Sequence, residues 1–295
     1  MMVVRDGISR KIFNVFNILV LVCITLLCIL PFIHLFALSL SGSAAASAGK
    51  VGLWPVDFTL KSYEFLLEKS DFIVSLGVTL KRVFLGTIIN MTLVVLTAYP
   101  LSKSSSQLKY RTALAWFFVF TNFFSGGTIP NFILIRNLQL FDSIWALVLP
   151  GAVAVGNVVL LLNFFRSIPK SLEEAAMIDG ASQFTILFKV FLPVSKPALA
   201  TILLFTIVGH WNAWFDGILY MNSPANYPLQ SYLSTLNVNI NTSLMTSEEL
   251  AIMKNVSDET LKSAQIFLGT LPIMLVYPFL QKYFVKGIVL GSVKE

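Results

Sequence analysis

Residues 209–217 read Gly-His-Trp-Asn-Ala-Trp-Phe-Asp-Gly, a polar and aromatic cluster inside an otherwise apolar stretch. On one continuous helix Asn212 and Asp216 would share a face, and so would His210 and Trp214, because residues four apart are neighbours. A carboxylate at that depth is costly, so Asp216 is expected to face protein or water rather than lipid. Aromatic faces beside hydrogen-bonding groups suit stacking on sugar rings and holding hydroxyls. They suit equally an interfacial aromatic belt, with Asp216 structural and near the water boundary. Lys81 and Arg82 are a second intrusion, a few residues into another apolar run. As outer turns of a long helix they would snorkel to the surface. Alternatively one or both face a cavity and attract an anionic substrate, such as a uronic-acid oligosaccharide. Being adjacent, they cannot share one face.

Bond-making chemistry has no constellation here. Lys50 follows Gly49, but neither the earlier glycine nor the following Ser/Thr of a Walker A loop is present, so no ATP site is expected in this chain. H-E-x-x-H and G-x-S-x-G are absent, and the two histidines, His34 and His210, fall in different apolar runs. Cys23 and Cys28 lie five apart in one apolar run and point in different directions on a helix, which disfavours a disulfide or a metal site. No metal and no cofactor of the chain's own is expected.

A different kind of chemistry, docking, is written in Ser171–Pro197, SLEEAAMIDGASQFTILFKVFLPVSKP. Ser171 and Glu174 have capping-box spacing, and Glu173 and Glu174 stand where a helix dipole favours negative charge. Ala175 and Ala176 keep one face small enough for another surface to approach. Gly180 supplies a stop or bend. Phe184, Leu187, Phe188 and Phe191 then recur at helical spacing, and Pro193 and Pro197 break the chain. The spacing predicts a helical elbow between two hydrophobic spans.

The elements that must position these residues are membrane helices. Of 295 residues 56% are hydrophobic and only 12% charged, with mean hydropathy +0.78; soluble domains carry about 25% charged residues. Apolar runs at about 12–40, 74–99, 112–135, 144–162, 198–221 and 265–283 each approach the roughly 20 residues a bilayer core requires, and in lipid such runs must be helices. The first is too long for the hydrophobic region of a signal peptide, so the small-residue tract after it is not read as a cleavage site. Gly126-Gly127, Pro130 and Pro150-Gly151 mark expected kinks or close helix packing.

Loop charges orient these spans. One side holds thirteen basic residues, among them Arg5, Arg10, Lys103, Lys109, Arg111, Arg166, Lys170, Lys189 and Lys282; the other holds six among nine acids. The first side is expected to be cytoplasmic, with residues 1–11, the elbow 171–197 and the tail 286–295 inside. One transmembrane domain then spans 12–285, and the segments Ser41–Phe72 and Asn222–Ala264 lie outside, the latter with short helices capping an outer mouth.

The elbow also carries a family resemblance. Glu174-Ala175-Ala176, three residues, Gly180, nine residues, then Val190-x-Leu192-Pro193 resembles the EAA loop of permease subunits in binding-protein-dependent ABC importers, with Val190 for the usual Ile. Ala98-Tyr99-Pro100-Leu101-Ser102-Lys103 is similar to the A-Y-x-L-S-[RK] of carbohydrate-uptake permeases. Trp211-Asn212 resembles their W-N pair, Tyr227-Pro228-Leu229-Gln230 their Y-P-L-Q, and Lys286 to Lys294 their K-G-x-x-x-G-A-x-K ending, with Ser292 for Ala. Together these resemble the maltose-permease-like branch, nearest its second (G-type) subunit, and within it permeases for acidic oligosaccharides, including alginate importers.

The resemblance implies an all-α membrane fold of the type I importer class, with six transmembrane helices and a cytoplasmic coupling loop. It implies that Glu173, Glu174, Ala175, Ala176, Asp179, Gly180, Leu192 and Pro193 insert into a cleft on an ATPase. The tail residues Gly291, Ser292 and Lys294 would reach between two ATPases. His210, Trp211, Asn212, Trp214, Asp216, Lys81 and Arg82 are the candidates for the substrate path. The implied partners are a homologous permease, two ATPase subunits that bind ATP and Mg, an extracytoplasmic solute-binding protein and the oligosaccharide, in a bacterial inner membrane, with no nucleic acid. The rival reading, a stand-alone secondary transporter or channel, would need ion-coupling residues within the membrane, where none stand apart from Asp216, Lys81 and Arg82, and an inverted repeat, which the sequence lacks.

Overall fold

The computed structural model describes residues 8–68, 70–236 and 257–292. Every regular element among them is helical. The helices are α1 Ile8–Ser39, α2 Ser43–Ser47, α3 Lys61–Glu68, α4 Ser70–Ser102, α5 Arg111–Phe123, α6 Thr128–Asn137, α7 Ile144–Val148, α8 Val155–Ser167, α9 Lys170–Ile178 and α10 Gln183–Ile186. A π-helical turn Leu187–Phe191 leads into α11 Leu192–Val194, followed by α12 Lys196–Asn212, α13 Phe215–Tyr220, a 3₁₀ turn Pro224–Asn226, α14 Leu229–Leu236 and α15 Asp258–Ser292.

The expected spans meet the backbone in three ways. Three helices, α1, α4 and α15, are long and apolar enough to cross a membrane. The expected span 112–135 is a bent pair, α5 and α6 meeting at 111°, and the elbow's run Gln183–Val194 joins α12, the start of another expected span, at 83°. The expected fourth span, 144–162, is instead short α7, a turn through Pro150-Gly151, and α8 of 13 residues. Proline's missing N–H stops a helix there. Gly127, at φ 88°, makes the break between α5 and α6 in a conformation other residues rarely adopt. The expected span 198–221 also divides, because α12 ends at Asn212 and α13 begins at Phe215.

The chain forms two compact units. In the first, residues 1–69 and 239–271, Phe65 and Leu66 of α3 pack with Leu261 and Ala264 of α15. Phe36 stacks on Phe267 at 4.5 Å, and Ser62 Oγ donates to Thr260 Oγ1 at 3.1 Å. Most of α1 exposes apolar side chains all round, the pattern of a helix made for an apolar environment.

The second unit, residues 70–238 and 272–295, is built around α4. Its core joins Val94, Ala98 and Leu101 of α4 to Val158, Leu161 and Phe165 of α8, Ile202 of α12, and Ile186, Leu187 and Phe191 of the elbow. The described part of the Asn222–Ala264 segment does contain short helices, held where Asp142 Oδ1 accepts the amides of Asn222 (3.1 Å) and Ser223 (3.2 Å). Hydrogen bonds, that of Asn226 first, hold the Asp142 carboxyl below its ordinary pKa.

Candidate functional site

The elbow begins where Ile168 and Pro169 leave α8 in extended conformation. The expected capping box does not form. Pro169 itself is the N-cap and its carbonyl takes the Leu172 amide at 3.2 Å, so α9 starts one residue early and Ser171 falls inside its first turn. The far end follows the sequence closely. Gly180 has φ 76°, its amide donates to Met177 O at 3.0 Å, and the Ala181 amide reaches back to Ala176 O at 2.9 Å. That pair of bonds is a Schellman cap, which needs a residue tolerant of left-handed backbone. Ser182 then caps α10, its Oγ accepting the Thr185 amide at 3.2 Å.

The helical stripe expected after Gly180 splits. Leu187 and Phe191, four apart, enter the core, whereas Phe184 and Phe188, also four apart, are exposed, so each pair occupies its own side of the run. Glu174, Ala175, Asp179, Gly180 and Pro193 are exposed, while Ala176 and Leu192 are half-buried against the core. Glu173 departs from its neighbour. It turns inward to 12% exposure, with Oε1 2.8 Å from Lys103 Nζ and 3.4 Å from Gln107 Nε2. Lys103 is 8% exposed, its ammonium 4.1 Å from the Tyr99 ring centroid and 4.4 Å from that of Phe191. Tyr99 in turn donates its hydroxyl to Gln183 Oε1 at 2.8 Å. Burial pulls the Lys103 pKa below its ordinary value, and Glu173 opposes that shift.

A cavity of about 340 Å³ opens between α4, α7, α8, α12 and α13; Arg82, Asn90, Asn157, His210, Asp216 and Tyr220 are among its walls. Arg82 does not snorkel. It is 3% exposed, pairs through both terminal nitrogens with the Asp216 carboxylate, and donates to Ala213 O and Leu147 O at 3.4 Å. Both carbonyls lie at helix ends, where the helix's own amides run out. Lys81, adjacent, is exposed. The face shared by Asn212 and Asp216 does not exist, since the helix breaks between them at Ala213-Trp214. Trp211 is buried, and Asn212 and Trp214 are exposed outside the cavity wall. His210 lies against Gly86 so closely that a Cβ there would clash with its ring.

Two features were missed from the sequence. Asn90, alone in an apolar run, donates to Gly151 O (3.3 Å) and Ala152 O (3.1 Å), satisfying the turn between α7 and α8. Ser231 Oγ does the same for Trp214 O at 2.6 Å. For Asn90 a lone polar residue amid a hydrophobic run was the available signal; Ser231, among other polar residues, carries none. Among the described residues no three His, Cys, Asp or Glu side chains converge as a metal site would need. Gly291 and Ser292 end α15, and Lys294 lies outside the described residues.

Comparison with known proteins places this geometry. The polygalacturonan/rhamnogalacturonan transport system permease protein YtcP of Bacillus subtilis (strain 168) is 40% identical over 286 residues, 97% of this chain and 99% of the relative. Protein LplC of the same organism is 38% identical, covering 97% and 96%. A crystal structure of a bacterial ABC transporter involved in import of the acidic polysaccharide alginate contains a chain that superposes with TM-score 0.86 at 35% identity, over 94% of this chain and 98% of that one. A second alginate transporter structure, complexed with a pentasaccharide-bound periplasmic protein, shares the fold at TM-score 0.60 and 16% identity, over 92% of this chain and 93% of that one. Residues 7–290 match the family described as binding-protein-dependent transport system inner membrane component, and the chain belongs to that family.

Proposed function

We propose that this chain is one half of the transmembrane pore of an ATP-driven importer for an acidic oligosaccharide. A homologous permease completes the pore, two ATPase subunits that bind ATP and Mg receive the elbows, and an extracytoplasmic binding protein delivers the cargo. In this reading the termini and elbow are cytoplasmic, and ATP hydrolysis belongs wholly to the partner subunits.

The observation that carries the reading is the outer surface of the elbow. α9 has no buried residue, and it presents Glu174, Ala175 and Asp179 beside exposed Leu172 and Ile178, the last at 85% exposure. Apolar groups gathered around one acidic patch suit a protein cleft better than water. The saccharides of the similar transporters, polygalacturonan and alginate, are polymers of uronic acids, which supports an acidic cargo. The rival secondary transporter loses support because Asp216, the carboxylate it would use for ion coupling, is already paired with Arg82.

The test is uptake of labelled oligogalacturonate into proteoliposomes holding the full complex with its binding protein. Uptake is expected to require ATP inside and to survive ionophores. Glu174→Lys is expected to abolish it while membrane insertion persists. Undiminished uptake and ATPase co-purification in that variant would overturn the docking role.

A further inference from the structure

We propose that Lys103 is a positioning residue that fastens the elbow to α4, so that its pairing with Glu173 carries the stroke of the ATPase into the cavity wall. The proposal rests on the ATP-driven reading above and adds the path by which force leaves the elbow. It also separates two neighbouring carboxylates: Glu174 faces outward, and Glu173 faces inward as a strut.

The argument starts from α4, whose 33 residues make a rod about 50 Å long. About its middle it carries Arg82 and Asn90, which hold the carbonyls of the broken helices around the cavity. At its C-terminal end, partners from separate elements converge on its last turn. Arg111 of α5 donates to Lys103 O at 3.4 Å, and Arg166 of α8 donates to Leu101 O at 3.3 Å. Cationic donors at a helix C-terminus satisfy carbonyls that the helix cannot. Glu173 of α9 takes Lys103, and Gln183 of α10 takes Tyr99. Both halves of the elbow are therefore tied to the same turn of α4.

Of these ties the ion pair matters most for α9, which buries no residue fully and otherwise leans on half-buried Ala176 and on the longer Gln107 bond to Glu173. An ordinary surface lysine would absorb a push by changing rotamer. Lys103 is not free to do so, because its ammonium is lodged against the faces of Tyr99 and Phe191. Those rings are wedged edge-to-face with each other at 5.1 Å and with Phe165 at 6.2 and 5.4 Å. A displacement of Glu173 must therefore move α4 rather than a flexible side chain. At this burial the pair is screened far less than an exposed one.

The experiment uses the full importer in proteoliposomes and reads ATP hydrolysed per saccharide imported. Lys103→Met is expected to lower uptake about tenfold, the scale of one charge-assisted hydrogen bond, with stimulated ATPase activity near wild type, so that the ratio rises by the same factor. Lys103→Arg, which keeps the charge and the ring contacts, is expected to restore the ratio. An unchanged ratio in Lys103→Met, or equal falls in uptake and ATPase activity, would overturn the proposal, since plain loss of folded complex produces the latter. Hydrogen exchange needs no transport and keeps the two proposals apart. In Lys103→Met the α9 amides are expected to exchange about tenfold faster while those of α4 do not change. Unaltered α9 exchange sinks the strut even if ATP-driven uptake is sound, whereas faster α9 exchange without ATP-driven uptake in the wild type leaves the strut standing and sinks the importer reading.

Discussion

Arg82 on α4 grips Asp216 on α13 across 134 positions of sequence, and the two charges inside the apolar unit neutralise each other. The guanidinium's remaining terminal contacts go to carbonyls freed at two helix ends, Leu147 O and Ala213 O. Arg82 is thus part of the scaffold of the cavity rather than a free positive charge waiting for an anionic sugar. The planar fork suits this work, since one cation serves a carboxylate and two carbonyls at once.

Removing one partner alone is expected to be costly. Arg82→Met or Asp216→Asn should destabilise the purified protein by about 3 kcal/mol, the lower end for breaking a buried pair, because Asp216 keeps 29% exposure. The double variant is expected to lose clearly less than the sum, since it leaves no orphan charge. Thermal unfolding in detergent gives the cycle. Simple additivity would show that the two residues act separately.

Gly86 and His210 make a second coupled pair. A Cβ at position 86 would overlap the imidazole, and the ring borders the 340 Å³ cavity. Gly86→Ala is therefore expected to cost about 1–3 kcal/mol as overpacking, or less where the ring swings into the cavity and narrows it. In both cases adding His210→Ala should recover part of the loss in stability or uptake. A double variant no better than Gly86→Ala alone would remove the steric account.

The long spans were legible because they are nearly uniform in hydropathy, and α1 and α4 begin and end within a few residues of expectation. Gly180 was legible because a left-handed cap admits few residue types. The cavity was not. Asp216 and Asn212 look like neighbours only if the helix runs on, and nothing local in Ala213-Trp214 announces a break. The break is stabilised from afar, by Arg82 and Ser231, and pairings at such separation leave no trace in periodicity. The capping box failed for a local reason: Pro169 took the cap position that Ser171 was expected to fill.

Gly180 separates backbone strain from surface contact. A Cβ there would meet nothing within 4 Å, so substitution costs only the left-handed conformation, about 1–2 kcal/mol for Ala. Asn, which tolerates that region, should cost less, and Val more than Ala. Stability should therefore follow backbone tolerance and ignore side-chain volume between Ala and Leu. If the open face of Gly180 is where an ATPase docks, uptake will fall further in Gly180→Leu than in Gly180→Ala at equal stability. Equal uptake in the two would show that Gly180 only shapes the elbow.

Alkaline pH tests the strut with opposite signs in two measurements. Burial lowers the Lys103 pKa below its ordinary value despite the pull of Glu173. The same space is lined by Glu174 and Lys170 of α9, Arg111 of α5 and Arg166 of α8, whose own pKa burial and the neighbouring Arg111 lower. Between the depressed folded value and the ordinary one, the unfolded chain binds more protons at position 103 than the folded chain does. Stability from this group should accordingly rise with pH through that window. Coupling should fall through the same window, because neutral Lys103 no longer holds Glu173 as an ion. In Lys103→Arg, whose guanidinium stays charged, both trends should vanish. Measuring the ratio of ATP hydrolysed to saccharide imported alongside unfolding, from neutral pH upward, distinguishes this strut from general alkaline damage, which lowers stability and coupling together in both proteins.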